Sequence, residues 1–511
     1  MSPSHPDITQ PKNVNDDKEQ GPFMDQGSLI REQGMEGQDV LESPSPSILS
    51  GPEKVLSIII ITTMTFLGPA PMSIYFPILG SLSRDLHVSP SQMSLTITVY
   101  MVIPRTPQIM QALFPLLTAS FSDQRGRRPV FIICLTASLG ANIGLASQTS
   151  YTALMALRCL QSFGSSSLSV VGIAAMTDII TRDERGKYRI YTSSGYTMAS
   201  LLGPVTGGLL AQFLGWRSVF WFLAIFAGVM LLLVLVFLRE SCRALVRNGS
   251  VPSQPWNRAL VDWLHPLKTC QASRPQPPST LGRGILDTIR LLGRWQTGLV
   301  VAFQAVLFCG TMAIFASIPV LFERHYGFQP WQVGLVYVPY AVGGFAARWI
   351  VNPLTTKNMQ RYRRRVGVQA TDYLPQDFPF ERARLEIIIP LVYLGCAWMM
   401  VYGWLMERKV HVAGPLVILF FAGNAITGAS VGLTAMLLGM HRRRPAMALA
   451  AANMVRFLCG AGAVAAIIPG IKTIGIGWMG TVVAGIYLVV SGVLWVLYYY
   501  GHRLRNSYRK K

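Results

Sequence analysis

The stretch A-S-F-S-D-Q-R-G-R-R-P, residues Ala119 to Pro129, sits between two long apolar runs and gathers Asp123, Arg125, Gly126, Arg127 and Arg128 into one turn. So charged a turn cannot lie in hydrocarbon, where each centrally placed Arg or Asp costs roughly 2.5–3.5 kcal/mol on insertion scales. It has to face water, and its positive charge predicts that this water is cytoplasmic. Two apolar runs leaving a common aqueous turn form a membrane hairpin. That hairpin orients every span before and after it.

The chain has 511 residues, 51% hydrophobic and only 14% charged, with mean hydropathy +0.38. A soluble protein carries nearer a quarter charged residues. The net charge of +21 raises nucleic acid as a partner. However, Lys and Arg fall in short clusters between apolar runs with no continuous basic face, so they read as topology signals and no nucleic-acid partner is expected. Cys134, Cys159, Cys242, Cys270, Cys309, Cys396 and Cys459 scatter without metal spacing or a disulfide framework, and no metal site is expected. The sequence holds no nucleophile elbow or phosphate loop, which argues against an enzyme.

Apolar segments long enough for a core of about 30 Å lie near 55–77, 92–121, 129–147, 152–177, 188–213, 216–238, 297–321, 331–353, 385–405, 411–438, 446–470 and 474–500. They predict an all-α membrane protein with twelve transmembrane helices in two six-helix halves. Its parts are a disordered cytoplasmic N-terminal tail at 1–54 without a signal peptide, a first half at 55–238, a cytoplasmic linker at 239–296, a second half at 297–500 and a basic cytoplasmic tail at 501–511. Lys and Arg concentrate in the tails and in the loops after even-numbered spans. The opposite face holds only Arg84, Arg217, Arg324, Arg408, Lys409 and Lys472, so both termini are expected in the cytoplasm. Arg105, Arg158, Arg348 and Arg456 fall inside spans. Halves joined by a Pro-rich linker are what parallel-repeat transporters need, with a substrate site near the midplane between them, although a long loop can separate any two membrane domains.

The stretch A-x-F-S-D-Q-R-G-R-R resembles the loop motif between helices 2 and 3 of the major facilitator superfamily, G-x-L-A-D-x-x-G-R-K/R, with Ala119 and Phe121 in place of Gly and Leu. Asp123 can accept bonds from a neighbouring helix N-terminus and from Arg, and Gly126 permits the tight turn. The resemblance implies a conformational latch made of Asp123, Gly126, Arg127 and Arg128. A solvated basic hairpin obeying only the orientation rule is the alternative. In the fourth span R-C-L-Q-S-F-G matches the family's R-x-x-Q-G motif, with Ser162 in place of Gly, and Asp178 precedes the family-like R-D-E-R-G-K-Y at 182–188. Arg158, Gln161 and Asp178 are therefore assigned to coupling. Arg158 cannot lose its proton and would act as a fixed charge beside a titrating acid, or else satisfy backbone carbonyls as a structural group.

Gly203-Pro204-x-x-Gly207-Gly208 in the fifth span, followed by Gly215-Trp216-Arg217-x-x-Phe220-Trp221, resembles the proton-coupled antiporter branch, although Ile190 and Ala199 replace its earlier glycines. Pro204 bends the helix and glycines four apart let helices meet closely. The stretch L-R-E-S-C-R-A-L-V-R-N-G-S (238–250), with I-Y-F-P-I-L (74–79) and A-A-N-M-V-R-F-L-C-G-A-G (451–462), is similar to the fungal drug:proton antiporters, nearest the quinidine-resistance and polyamine-export branch. Two departures stand out. Gly439 occupies a place where the branch carries an acid, and the second-half counterpart of the Asp123 loop, 352–365, has no acid, so a weaker latch is expected there. Asp123 and Asp178 are the candidate protonation sites.

The resemblance implies a major facilitator fold that exports amphipathic or cationic small molecules such as drugs, polyamines or secondary metabolites. Alternating access would be driven by the proton gradient with no cofactor, in a monomer in the plasma membrane whose partners are the substrate, protons and the lipid bilayer. Tyr196, Gln304, Thr311 and Asn424 are cavity candidates or ordinary interhelical packing. A non-transporting membrane sensor with the same fold is the competing class. Pro104-Arg105-Thr106-Pro107 would break the second span, so residues near 103–110 are expected either to be absent from the working protein or to form a re-entrant bulge.

Overall fold

The computed structural model describes residues 51–86, 109–180, 185–246, 251, 253–254, 257–264, 290–367, 378–441 and 445–509, and their regular structure is entirely helical. The long helices are α1 Gly51–Leu67, α2 Ile109–Arg125, α3 Arg127–Ser147, α4 Tyr151–Ile179, α5 Arg185–Leu214, α6 Trp216–Val236, α7 Trp295–Tyr326, α8 Pro330–Val366, α9 Phe380–Glu407, α10 Ala413–Met440, α11 Pro445–Ile474 and α12 Ile476–Arg509. Eleven of these are long and apolar enough to cross a membrane, the first of them counted through the turns that continue α1; α2 supplies the described part of the second span. The N-terminal tail before residue 51 and the unusual stretch 103–108 lie outside the described residues.

The helices pair in a pattern that repeats with an offset of six. In the first group α1 packs on α5, α2 on α4, and α3 on α4 and α6; in the second α7 packs on α11, α8 on α10, and α9 on α10 and α12. The two most extensive contacts between groups, α5 with α8 and α2 with α11, are related by the same offset. This is the arrangement of a parallel repeat about an axis along the membrane normal. Large apolar side chains such as Phe213, Ile225, Leu232 and Val489 stay exposed, as a lipid-facing surface allows.

Proline chemistry changes the first span. The apolar run 55–77 reads as one helix, but α1 stops at Leu67. The chain then continues as a turn at Ala70–Ser73, a tight turn at Phe76–Ile78 and a short helix at Leu79–Asp85. Pro69, Pro71 and Pro77 cannot donate to a helical ladder. At the break the Tyr75 amide turns to the Met72 carbonyl, releasing the carbonyl of Pro71. Two segments also run past their expected limits. Residues 239–264, in the expected linker, are held against the first group as far as Leu264, and α12 continues to Arg509.

Candidate functional site

The end of the bundle that carries the Asp123 turn is called here the basic end. Arg127 opens α3, and its side chain, 10% exposed, ion-pairs with Asp123 at the close of α2 and, from Nε at 3.0 Å, with Asp178 at the close of α4. Nη1 also donates to Ser122 Oγ at 2.9 Å. One planar guanidinium thus joins three helices, which its fixed fork of donors suits better than a Lys ammonium. Asp178 is further held by its neighbours, since Arg243 Nε donates to its backbone carbonyl at 2.6 Å.

Glu240, just beyond α6, supplies the anion that the start of α3 needs. Its Oε1 accepts from the Arg127 amide at 2.8 Å and from the amides of Ser241 and Cys242 at 3.0 and 2.9 Å. Its Oε2 accepts from the Arg128 amide at 3.2 Å and from Asn257 Nδ2 at 2.7 Å. A carboxylate at a helix N-terminus satisfies amides without intrahelical partners and meets the positive end of the dipole. Gly126 makes this possible, because its φ is +110° and a Cβ there would stand 2.3 Å from Glu240 Oε2. Arg128 donates from Nη2 to the Leu235 carbonyl at 3.0 Å. Next to Glu240, Arg239 pairs at 3.1 Å with both Glu53 and Asp262, tying the start of α1 to the short helix Leu260–Leu264.

The sequence reading missed Glu240, Asn257, Arg239 and Asp262 as site residues. A signal for Glu240 existed in L-R-E-S, a carboxylate placed where α6 returns beside the start of α3. Asn257 and Asp262 are single polar residues in an aperiodic stretch and gave none. The described bonds of this network join elements of the first group. Its reach to the second group passes through α2, which packs on α11.

The structure separates the expected coupling trio. Asp178 lies in the basic-end network, twenty positions along α4 from Arg158, which at 1.5 Å per residue is about 30 Å away. Arg158 and Gln161 do meet, Nη1 donating to Oε1, and Gln161 donates onward to Asn142 Oδ1. Arg158 is 1% exposed, stacks its guanidinium 3.5 Å from the Tyr75 ring centroid and donates to the Pro71 carbonyl at 3.4 Å. That carbonyl is the one released by the break after α1.

The glycines of α5 face two ways. A Cβ on Gly203 would meet Ser73 at 2.7 Å and one on Gly207 would meet the Ile74 carbonyl at 2.3 Å, so both seat the broken first span. Gly208 faces the other group, where a Cβ would stand 2.5 Å from the Pro330 carbonyl; reciprocally, a Cβ on Gly334 of α8 would stand 2.5 Å from the Pro204 carbonyl. Backbone therefore touches backbone between the groups at the end opposite the basic one. Phe76 adds ring contacts there with Phe315 and Tyr337. Of the cavity candidates, the Tyr196 side chain lies outside the described residues. The other three bond across helices of the second group: Gln304 Nε2 to Thr434 Oγ1 at 2.8 Å, Thr311 with Tyr340 at 3.1 Å and Asn424 Nδ2 to the Gly343 carbonyl at 3.3 Å.

Among known proteins, the family profile described as Major Facilitator Superfamily matches residues 61–464. MFS-type transporter R5 of Phoma sp. (strain ATCC 20986 / MF5453) is 38% identical over 469 residues, covering 91% of this chain and 88% of the relative. Citrate exporter 1 of Aspergillus niger is 28% identical over 498 residues, covering 95% and 93%. The crystal structure of the human organic anion transporter MFSD10 (TETRAN) superposes with a TM-score of 0.56 at 17% identity, covering 86% of this chain and 99% of that one, a likeness of fold alone.

Proposed function

The chain belongs to the major facilitator superfamily, and from that premise we propose that this multi-pass membrane transporter is a proton-coupled exporter of small organic molecules, drugs or secondary metabolites among them. The observation that carries the reading is the guanidinium of Arg127 shared between Asp123 and Asp178, because it links protonatable groups to the position of three helices. Proton uptake by Asp123 would loosen the end of α2 from α3, and uptake by Asp178 the end of α4. Since α2 packs on α11, the first of these changes alters how the two groups meet at the basic end. Rocking about the α5–α8 contact then exposes the space between the groups to one side or the other. Concentration of Lys and Arg at the basic end supports a cytoplasmic location for that end and both termini, and the plasma membrane is the proposed site. The protein works as a monomer with the proton gradient as its energy source. A sensor that keeps the fold without transporting gains no support from relatives named as transporters.

Accumulation of a compound panel in cells with and without the protein tests this. Cells lacking it should retain more of at least one compound, and a protonophore should erase the difference. Equal retention would sink the exporter reading, and a difference that survives the protonophore would sink the coupling. Arg158→Lys should fold yet change the pH profile of export, because Lys lacks the fork that reaches Tyr75, Pro71 and Gln161 together.

A further inference from the structure

We infer that Arg456 is the cation that holds the substrate and that the substrate class is a small organic carboxylate. This rests on the transporter reading and adds the chemistry of the cargo. Arg456 lies eleven residues into α11, about 16 Å along a helix rising 1.5 Å per residue, near the middle of a core of about 30 Å. Its contacts are few: Nη1 donates to Asn453 Oδ1 at 3.3 Å on its own helix, and the guanidinium lies 5.0 Å from the Phe308 ring of α7. Among the described residues no carboxylate pairs with it, and Asp and Glu in the long helices keep within about two turns of a helix end.

The contrast with Arg158 is informative, because that cation is buried and surrounded whereas Arg456 is partly exposed. Hydrocarbon would not accept a guanidinium at such depth, so its exposed edge opens on the seam beside α2 of the other group, against which α11 packs. An unpaired charge there is costly, and a carboxylate removes the cost by forming two parallel N–H to oxygen bonds. One turn before Phe308 on the same face of α7, Gln304 is 3% exposed and its Oε1 has no hydrogen-bond partner while Nε2 is engaged by Thr434. That acceptor suits a hydroxyl or N–H on the same ligand. A cationic substrate such as a polyamine would meet repulsion and no counter-charge.

Cys459, exposed and one turn beyond Arg456, reports on the site in the purified full chain. Its labelling by N-ethylmaleimide, followed by peptide mass spectrometry, should slow at least five-fold in millimolar benzoate or citrate and stay unchanged in tetramethylammonium. Arg456→Lys should keep the protection and Arg456→Gln should abolish it. Equal rates with and without carboxylate in the wild type, or protection surviving in Arg456→Gln, overturn the assignment. Where Arg456→Gln does not fold, wild-type Cys459 decides: an anionic methanethiosulfonate should react at least five-fold faster than a cationic one, and equal rates overturn it. Both measurements read binding without a gradient. Protection without any difference in cellular retention therefore counts against the exporter reading alone.

Discussion

At the basic end the two six-helix groups solve one problem with opposite signs. In the first, acids at the ends of α2 and α4 and beyond α6 converge on Arg127 and the amides at the start of α3. In the second, the end of α8 is cationic, with Arg363, Arg364 and Arg365, and the acids Glu381 and Glu386 belong to α9. There Asn358 Nδ2 donates at 2.8 Å both to the Ala383 carbonyl and to Glu386, while Arg382 fixes α9 to α12 through the carbonyls of Tyr498 and Tyr499 at 3.0 and 3.3 Å. A shared ion pair changes when an acid takes a proton, whereas an amide donor does not titrate. The proposed proton switch therefore falls to the first group, where one guanidinium is shared between two acids.

The largest break in this comparison should come from Glu240→Gln. Every partner of the Glu240 carboxylate is a donor, so a Gln in either orientation sets its own N–H against another N–H. Leaving a buried donor without its acceptor costs about 1–3 kcal/mol, and several donors meet at this carboxylate. The melting temperature in detergent and the expressed amount should both fall, and an unchanged melt would mean that Glu240 does not clamp α3.

Asp178→Asn comes next. At 16% exposure this side chain makes the better shielded pair with Arg127, and its loss should shift the balance of states by about 1–3 kcal/mol. Export falls while surface expression holds. Asp123→Asn should act in the same direction and less, because Asp123 is 58% exposed and exposed pairs contribute about 0–1 kcal/mol. Should Asp123→Asn prove the more damaging of the two at equal expression, burial does not rank the acids and the exposed one carries the exchange.

Glu386→Gln should be the mildest change, within about 0.5 kcal/mol, since Gln Oε1 can accept from Asn358 as the carboxylate does. A loss of export comparable to that of Asp178→Asn would show that the second end switches too.

Legibility in the sequence followed chain distance and the cost of charge in lipid. The spans were readable because apolar runs end where Arg and Asp must reach water. The Asp123 to Arg127 pair was readable as two residues one turn apart across Gly126. Its second acid was not, because Asp178 meets Arg127 only through the packing of α3 on α4. The partner of Arg158 stood in plain view in I-Y-F-P-I-L, yet only the break after α1 carries Tyr75 and the Pro71 carbonyl to it. Proline and charge content made 239–296 look like free linker, yet Arg239 and Glu240 bind its start to Glu53 and the Arg127 amide.

In the proposed rocking motion, the glycine-to-backbone contact of α5 with α8 would serve as a fulcrum. Gly208 stands near one end of a helix of 30 residues, so the lever arm to the other end is about 35 Å at 1.5 Å per residue. A rotation of only about 10° about that point sweeps the far tip by roughly 6 Å. That throw is generated while the fulcrum itself moves by almost nothing. Bulk added at Gly208 would therefore push against the Pro330 backbone at the contact itself and be magnified into a larger displacement at the opposite side of the membrane.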